Sequence, residues 1–305
     1  MKLAIIGECM IELSNSESEL YKLRYGGDTL NTAVYLSRCG GQVEYVTALS
    51  DDVLSKKMLS QWQEEGVGTK HVKTKPNAVP GLYLIENDKS GERHFHYWRS
   101  NSPARYLLED FPTILDELKD YDAIFLSGIT LSLYSSSARN TLYEFLQHFR
   151  ECGGQVIFDN NYRPKNWATF SEASAAYNQI MNVTDVALLS MEDEVALHGE
   201  HSMDYCFERW LKSGATEVVI KNGAEGILAG NTKEKLSFDT PNVVEPVDTT
   251  AAGDSFNGAF LASMAQKQSL ERCIRAGQYC AAQVIMHKGA IVPRGVNLVE
   301  GGARE

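Results

Sequence analysis

The chain has 305 residues, 43% of them hydrophobic and 23% charged, with a formal net charge of −11. That composition describes a globular protein of one large domain or two ordinary ones, and it excludes a disordered chain. The acidic balance argues against nucleic acid as a partner, because phosphate backbones are bound through clustered Lys and Arg. An anionic ligand must therefore be met by local positive groups. The apolar run Leu3-Ala4-Ile5-Ile6 is too short for a signal-peptide core or a membrane span, so a cytoplasmic protein with no membrane partner is expected. The six cysteines, at 9, 39, 152, 206, 273 and 280, form no C-x-x-C pair and predict reduced thiols.

In chain order, short β-type runs alternate with longer helical ones, the pattern of a mostly parallel sheet covered by helices on both faces. Lys2 to Gly7 reads as the first strand and Asp28 to Cys39 as a helix stopped by Gly40-Gly41. Val43 to Leu49 returns as a strand, and Val53 to Glu65 follows as a helix ended by Gly66. Two strand-like runs, Pro80 to Asn87 and Glu92 to Arg99, flank a Lys89-Ser90-Gly91 turn and predict a hairpin. With residues around Met10 to Tyr25 it would form a small second sheet, whose exposed edge or apolar face needs cover and points to a homo-oligomer. Further strands are expected at Asp122 to Ser127, Gln155 to Asp159, Asp185 to Leu189 and Thr216 to Lys221, with helices between them such as Ser135 to Glu151 and Met203 to Ser213. Ligands bind at the carboxyl ends of such strands, so the segments beginning at Ser127, Asn160, Ser190 and Asn222 should rim a site.

The stretch Asp248-Thr249-Thr250-Ala251-Ala252-Gly253-Asp254 carries the most chemistry. Ala251, Ala252 and Gly253 have almost no side chain, so their N–H groups can approach an anion, and the positive end of the following helix points at the same spot. Asp254 in the first turn is placed to accept a proton from a hydroxyl that attacks a phosphate. A plain helix cap would need Thr or Asp but not Ala-Ala-Gly before the acid, nor the small Gly258 and Ala259 one turn later. In the hairpin, Tyr97 and Arg99 share one face by alternation, which suits either an aromatic ladder or a ligand contact. Asp159-Asn160-Asn161-Tyr162-Arg163-Pro164 follows a buried-looking strand, so Arg163 emerges at the sheet's carboxyl edge as a second anion clamp. No P-loop and no G-x-G-x-x-G fingerprint is present.

The Asp254 segment resembles the carboxyl-terminal signature of the ribokinase, or PfkB-type, family of carbohydrate kinases. Gly26-Gly27-Asp28-Thr29-Leu30-Asn31-Thr32-Ala33 looks like that family's amino-terminal signature. The D-x-N-x-R-P loop, the Tyr-x-Arg strand and the opening Gly7-Glu8-Cys9-Met10-Ile11-Glu12-Leu13 resemble its 2-keto-3-deoxygluconate kinase branch. The resemblance implies a single ribokinase-like α/β/α domain over residues 1–305, with a β lid from roughly 10–25 and 70–105. It implies ATP-dependent phosphorylation of a sugar acid at its C6 hydroxyl, with Mg²⁺ and a monovalent cation as cofactors. A fructokinase or ribokinase of the same fold is the nearest rival, and a non-catalytic sugar-binding regulator is a more distant one. The site carried over has Asp254 as base, with Ala251, Ala252 and Gly253 as its elbow. Gly27, Asp28, Asn31, Tyr83, Tyr97, Arg99 and Arg163 would take the sugar acid, and Asn161, Arg163, Ser190, Lys221, Gly223, Ala224, Gly226 and Gly253 the nucleotide. Many relatives carry N-x-x-E near the metal. Here Ser190 stands for the Asn, and Asp193 is the expected counterpart of the Glu, with Glu194 one residue away.

Overall fold

The computed structural model describes residues 1–17, 20–87, 93–199, 202–240 and 245–301. Its elements in chain order are β1 (Lys2–Ile6), β2 (Met10–Glu17), β3 (Leu20–Gly26), α1 (Asp28–Arg38), β4 (Gln42–Ser50), α2 (Val53–Glu64), β5 (Gly68–Lys75), β6 (Leu82–Asn87) and β7 (Arg93–Trp98). They continue with α3 (Leu107–Asp110), β8 (Ala123–Ser127), α4 (Gly128–Leu133), α5 (Ser136–Glu151), β9 (Gln155–Asp159), α6 (Phe170–Met181), β10 (Val186–Ser190) and α7 (Met191–His198). The last are α8 (Met203–Lys212), β11 (Glu217–Lys221), β12 (Ile227–Gly230), β13 (Lys235–Phe238), α9 (Ala252–Ala265) and α10 (Leu270–Val284).

Nine strands form one sheet in the order β13-β12-β11-β10-β9-β8-β1-β4-β5. From β11 to β5 every pairing is parallel, and only the β11–β12 and β12–β13 pairings are antiparallel. The central strands are buried on both faces, as parallel strands covered by helices must be. Two apolar cores result, one on each face: Leu126, Phe158 and Trp210 lie on one side, and Ile5, Phe125 and Phe260 on the other. The order reverses between β1 and β8, because the chain winds outward through β4 and β5 before returning beside β1. Open α/β sheets place their ligand crevice at such a switch point.

The second sheet has four strands in the order β3-β2-β6-β7, with β2 and β6 parallel and the outer pairs antiparallel. Its composition narrows the expected span of 70–105. Gly68–Lys75 pairs with β4 as the edge of the large sheet instead, and residues 103–110 turn into short helices that pack on the body. The sequence KTK at the end of β5 alternates like any solvated edge strand, so nothing in its pattern assigns it to one sheet or the other. The expected turn at residues 89–91 lies outside the described residues.

α1 and α9 pack closely because Gly258 has no side chain. A Cβ there would stand 2.8 Å from both the Leu36 nitrogen and the Thr32 oxygen. This close approach brings the amino ends of the two helices, with Asp28, Asn31 and Asp254, to one point above the strand ends. Cys273 and Cys280, seven residues apart, are both buried on α10, and all six cysteines are free.

Candidate active site

The elbow before α9 depends on one left-handed residue. Ala251 has φ 61°, and no side chain caps the helix start. The N–H of Ala252 closes a turn onto the Thr249 oxygen at 3.2 Å. That engages the Ala252 donor in the turn and leaves the N–H groups of Gly253 and Asp254 as the open donors of the first turn. A Cβ on Gly253 would meet only Lys221 Nζ, 4.0 Å away. The elbow is therefore open and has a cation beside it.

Asp254 is not a cap. Its Oδ2 accepts from Asn31 Nδ2 at 2.8 Å, across the α1–α9 contact. Asp28, first residue of α1, accepts from Ser127 Oγ at 2.5 Å and from Asn161 Nδ2 at 2.8 Å. A third carboxylate, Asp159 at the end of β9, accepts from Asn257 Nδ2 at 2.9 Å, while Asn257 Oδ1 accepts from Lys221 Nζ at 2.8 Å. Sequence reasoning singled out neither Asp159 nor Asn257 as a site residue. Both were visible, since Asp159 opens the D-x-N-x-R-P loop and Asn257 stands three residues beyond Asp254, on the same helical face.

Three acids so close together cannot all ionise freely. Burial pushes Asp254 up to about 8, the charges of Asp28 and Asp159 add to the rise, and Asn31 and Lys221 oppose it. Although Asp254 keeps an open side toward the cleft, it is densely surrounded by protein, which is what drives the shift. Burial also raises Asp28, reinforced by Asp159 and countered by Ser127. A carboxyl tuned near neutrality is well matched to taking a proton from an alcohol.

The opposite wall comes from the small sheet. Tyr83, Tyr97 and Glu12 occupy directly paired positions and so share a face. Tyr83 donates to Glu12 Oε2 at 2.5 Å, and its ring lies 5.9 Å from that of Tyr97. Burial raises the Tyr97 hydroxyl, and the charges of Arg99 and Arg163 both counter it, which puts the two arginines around the same opening. They differ in freedom. Arg99 is paired with the buried Glu8 and is itself largely covered. Arg163 is half exposed, donating to the Tyr162 oxygen at 2.7 Å and pairing with Asp193 at 3.0 Å.

The acidic residues after β10 occupy the first turn of α7 and differ in burial. Glu194 is fully buried, held by Arg209, by Asn160 Nδ2 at 3.1 Å and by Trp210 Nε1 at 3.4 Å, so it cannot reach the cleft. Asp193 faces Arg163, and burial raises it to about 6 despite that partner. Ser190 does not use its side chain as a cap. Its main chain is clamped by Asn160, whose Oδ1 accepts from the Ser190 N–H and whose Nδ2 donates to the Ser190 oxygen, both at 2.9 Å. Among the described residues no cluster of three or more acids, His or Cys is arranged to hold a metal. Lys221 ends β11, and the exposed turn of Gly223 and Ala224 closes at Gly226, with φ 53° at Gly223 and 103° at Gly226.

Four buried polar atoms around this cleft have no partner in the protein: Glu8 Oε1, Asn31 Oδ1, Arg99 Nε and Asn161 Oδ1. Buried polar atoms are almost always satisfied, so a cluster of exceptions marks where a polar ligand or water belongs. Cavities of ≈ 320 Å³ and ≈ 300 Å³, one lined by Arg38 and Arg294 and one by Tyr134 and Arg139, share no residue with this set. The cleft lies elsewhere, where the small sheet faces the carboxyl edge of the large one.

Comparison with known proteins agrees with this geometry. Residues 1–295 match the pfkB family carbohydrate kinase model. The chain is 44% identical over 301 residues to the 2-dehydro-3-deoxygluconokinase of Dickeya dadantii, covering 95% of this chain and 96% of that one. Against the enzyme of the same description from Escherichia coli K12 the identity is 43% over 303 residues, covering 96% and 97%. Among solved structures, a ribokinase II from E. coli in complex with ATP and Mg²⁺ superposes with a TM-score of 0.82 at 20% identity, over 95% of this chain and 94% of that one. On these grounds the chain belongs to the pfkB family of carbohydrate kinases.

Proposed function

We propose that this kinase transfers the γ-phosphoryl group of ATP to the C6 hydroxyl of 2-keto-3-deoxygluconate, also called 2-dehydro-3-deoxygluconate. Full-length identity of 43–44% to 2-dehydro-3-deoxygluconokinases carries the reading. The open Arg163 supports it, because a sugar acid brings a carboxylate that fructose or ribose lacks. The neutral-sugar alternative has less support.

The sugar acid lies in the cleft, with Gly27, Asp28 and Asn31 beneath it and Tyr83, Tyr97 and Arg99 above. Asp254 accepts the C6 hydroxyl proton as the oxygen attacks the γ-phosphorus, the bond to the β-phosphate oxygen breaks, and ADP leaves. Negative charge on the migrating group is held by the N–H groups of Gly253 and Asp254 and by Lys221. The nucleotide runs from there along Asn161, Arg163 and Ser190 to the turn of Gly223, Ala224 and Gly226. Asp193 suits a hydrated Mg²⁺ carried by the phosphates, since a cation of this kind keeps several waters and needs few protein ligands. When bound, Mg²⁺ supplies charge neutralisation across the β- and γ-phosphates. The carboxylate of Asp248 ties the loop before α9 to Gly289 beyond α10 at 2.8 Å, which steadies the elbow that carries Asp254.

The small sheet acts as a lid over the sugar and excludes water from the transfer. Its outer face carries Leu23, Leu13 and Leu84 in one register, with Trp98 60% and Leu23 43% exposed. A second copy of the chain covers that face. An ATP-consuming enzyme with six free cysteines belongs in the cytoplasm. A coupled ADP-release assay tests the reading. It is upheld by kcat/KM for 2-keto-3-deoxygluconate at least a hundredfold above that for fructose, and preference for fructose defeats it.

A further inference from the structure

Chain crossings between the two sheets converge on Glu8. The first, from β1 to β2, contains Glu8 itself. The second is Gly26–Gly27, between β3 and α1, where a Cβ on Gly27 would stand 2.2 Å from the Glu8 carbonyl oxygen. The third leads from β5 into β6, where a Cβ on Gly81 would stand 3.0 Å from Glu8 Oε1 and 3.3 Å from the Arg99 Cβ. The fourth leaves β7 at Arg99, whose Nη2 donates to Glu8 Oε2. The side chains of Glu8 and Arg99 are 1% and 13% exposed.

A buried ion pair adds little net stability over apolar packing, yet loss of one partner leaves an uncompensated charge in the interior. What this pair fixes therefore matters more than what it stabilises. Nor is it a closed two-bond fork, since Glu8 Oε1 and Arg99 Nε both lack partners. Glu8 grips one corner of the guanidinium and leaves other N–H groups unused.

We propose that Glu8 is a positioning residue that pins the small sheet at its pivot and holds the Arg99 guanidinium over the cleft, ready for the substrate carboxylate. The kinetic half of this rests on the reading that the cleft takes a sugar acid, and the mechanical half does not. Glu8→Gln keeps the volume and removes the charge, so the buried cation is released toward water and the pivot loosens.

Two readouts test it. In amide hydrogen exchange without substrate, Glu8→Gln should speed exchange in β2 and β6 at least tenfold while β8 and β9 stay as in the wild type. In steady-state kinetics the KM for 2-keto-3-deoxygluconate should rise about tenfold or more, with kcat within about threefold and the KM for ATP unchanged. Adding Glu8→Gln to Arg99→Met should raise that KM no further, because Glu8 acts through Arg99. Glu8→Asp, which keeps the charge, should recover most of the loss. Unchanged exchange overturns the pivot. An unchanged or lowered KM, additivity with Arg99→Met, or an Asp variant as impaired as the Gln variant overturns the positioning role. If the wild type turns over no sugar acid at all, the functional reading fails while the exchange result still decides the pivot.

Discussion

Replacing Asp254 by Asn should slow the enzyme and stabilise the protein, and the second effect is the sharper one. In the folded chain Asp254 holds its proton to about pH 8, whereas in the unfolded chain an Asp releases it near pH ~3.9. Between those values the folded state binds the extra proton, so stability falls as pH rises from about 4 to about 8. Each unit of separation is about 1.4 kcal/mol, which sets a ceiling of about 5–6 kcal/mol at pH 8 and above. Asp254 keeps one side open to the cleft and shares its proton balance with Asp28. We therefore expect about 2–3 kcal/mol to be realised. Asn keeps the shape and can still accept from Asn31, but it carries no charge to bury. At pH 8 the variant should melt about 4–8 °C above the wild type, and at pH 4.5 the two should nearly coincide. Thermal unfolding of both proteins at the two pH values measures this directly. A variant equally or less stable at pH 8 would show that Asp254 titrates as an ordinary carboxyl, and the argument from burial and acid crowding would fall.

The other predictions concern the same network. In the wild type kcat/KM for the sugar acid should rise about tenfold per pH unit up to about pH 8 and then level, and the residual activity of Asp254→Asn should lack that limb. Asn257→Ala strands Lys221 Nζ and the buried Asp159 Oδ2. It should cost about 2–4 kcal/mol in urea unfolding and lower kcat; a loss under about 0.5 kcal/mol would mean the bridge is idle. Gly27→Ala meets no backbone strain, since φ there is 170°, but its Cβ collides with the Glu8 oxygen. It should lower kcat/KM about tenfold or more while leaving circular dichroism unchanged, through displacement of Asp28 and Asn31 at the start of α1. Arg163→Met should raise the KM for the sugar acid about 10–100-fold and leave that for a neutral sugar nearly unaltered.

Much of this arrangement was legible in the sequence because local signals and fold agreed. Ala-Ala-Gly-Asp before an apolar helix implies an elbow, and the elbow needs the left-handed turn found at Ala251. The alternation of strands and helices implies the parallel sheet and the edge where Asn160 and Ser190 emerge. What was not legible depends on contacts between distant segments. Nothing around β5 announces which sheet it joins, because an edge strand reads the same in either. Arg99 looked as free as Arg163, since its partner Glu8 lies 91 residues away. The bridge from Lys221 through Asn257 to Asp159 joins three elements whose order in space follows only from the assembled sheet.

The central claim, that Asp254 takes the proton as phosphorus moves to C6, is tested most directly by a single-turnover reaction followed by phosphorus and carbon NMR. With 2-keto-3-deoxygluconate and ATP, the wild type should yield one equivalent of the 6-phosphate and ADP. Asp254→Asn, with both ligands bound, should form it about 10²–10⁴-fold more slowly. Phosphate appearing on another carbon or in water, or an equal rate from the variant, would contradict the account.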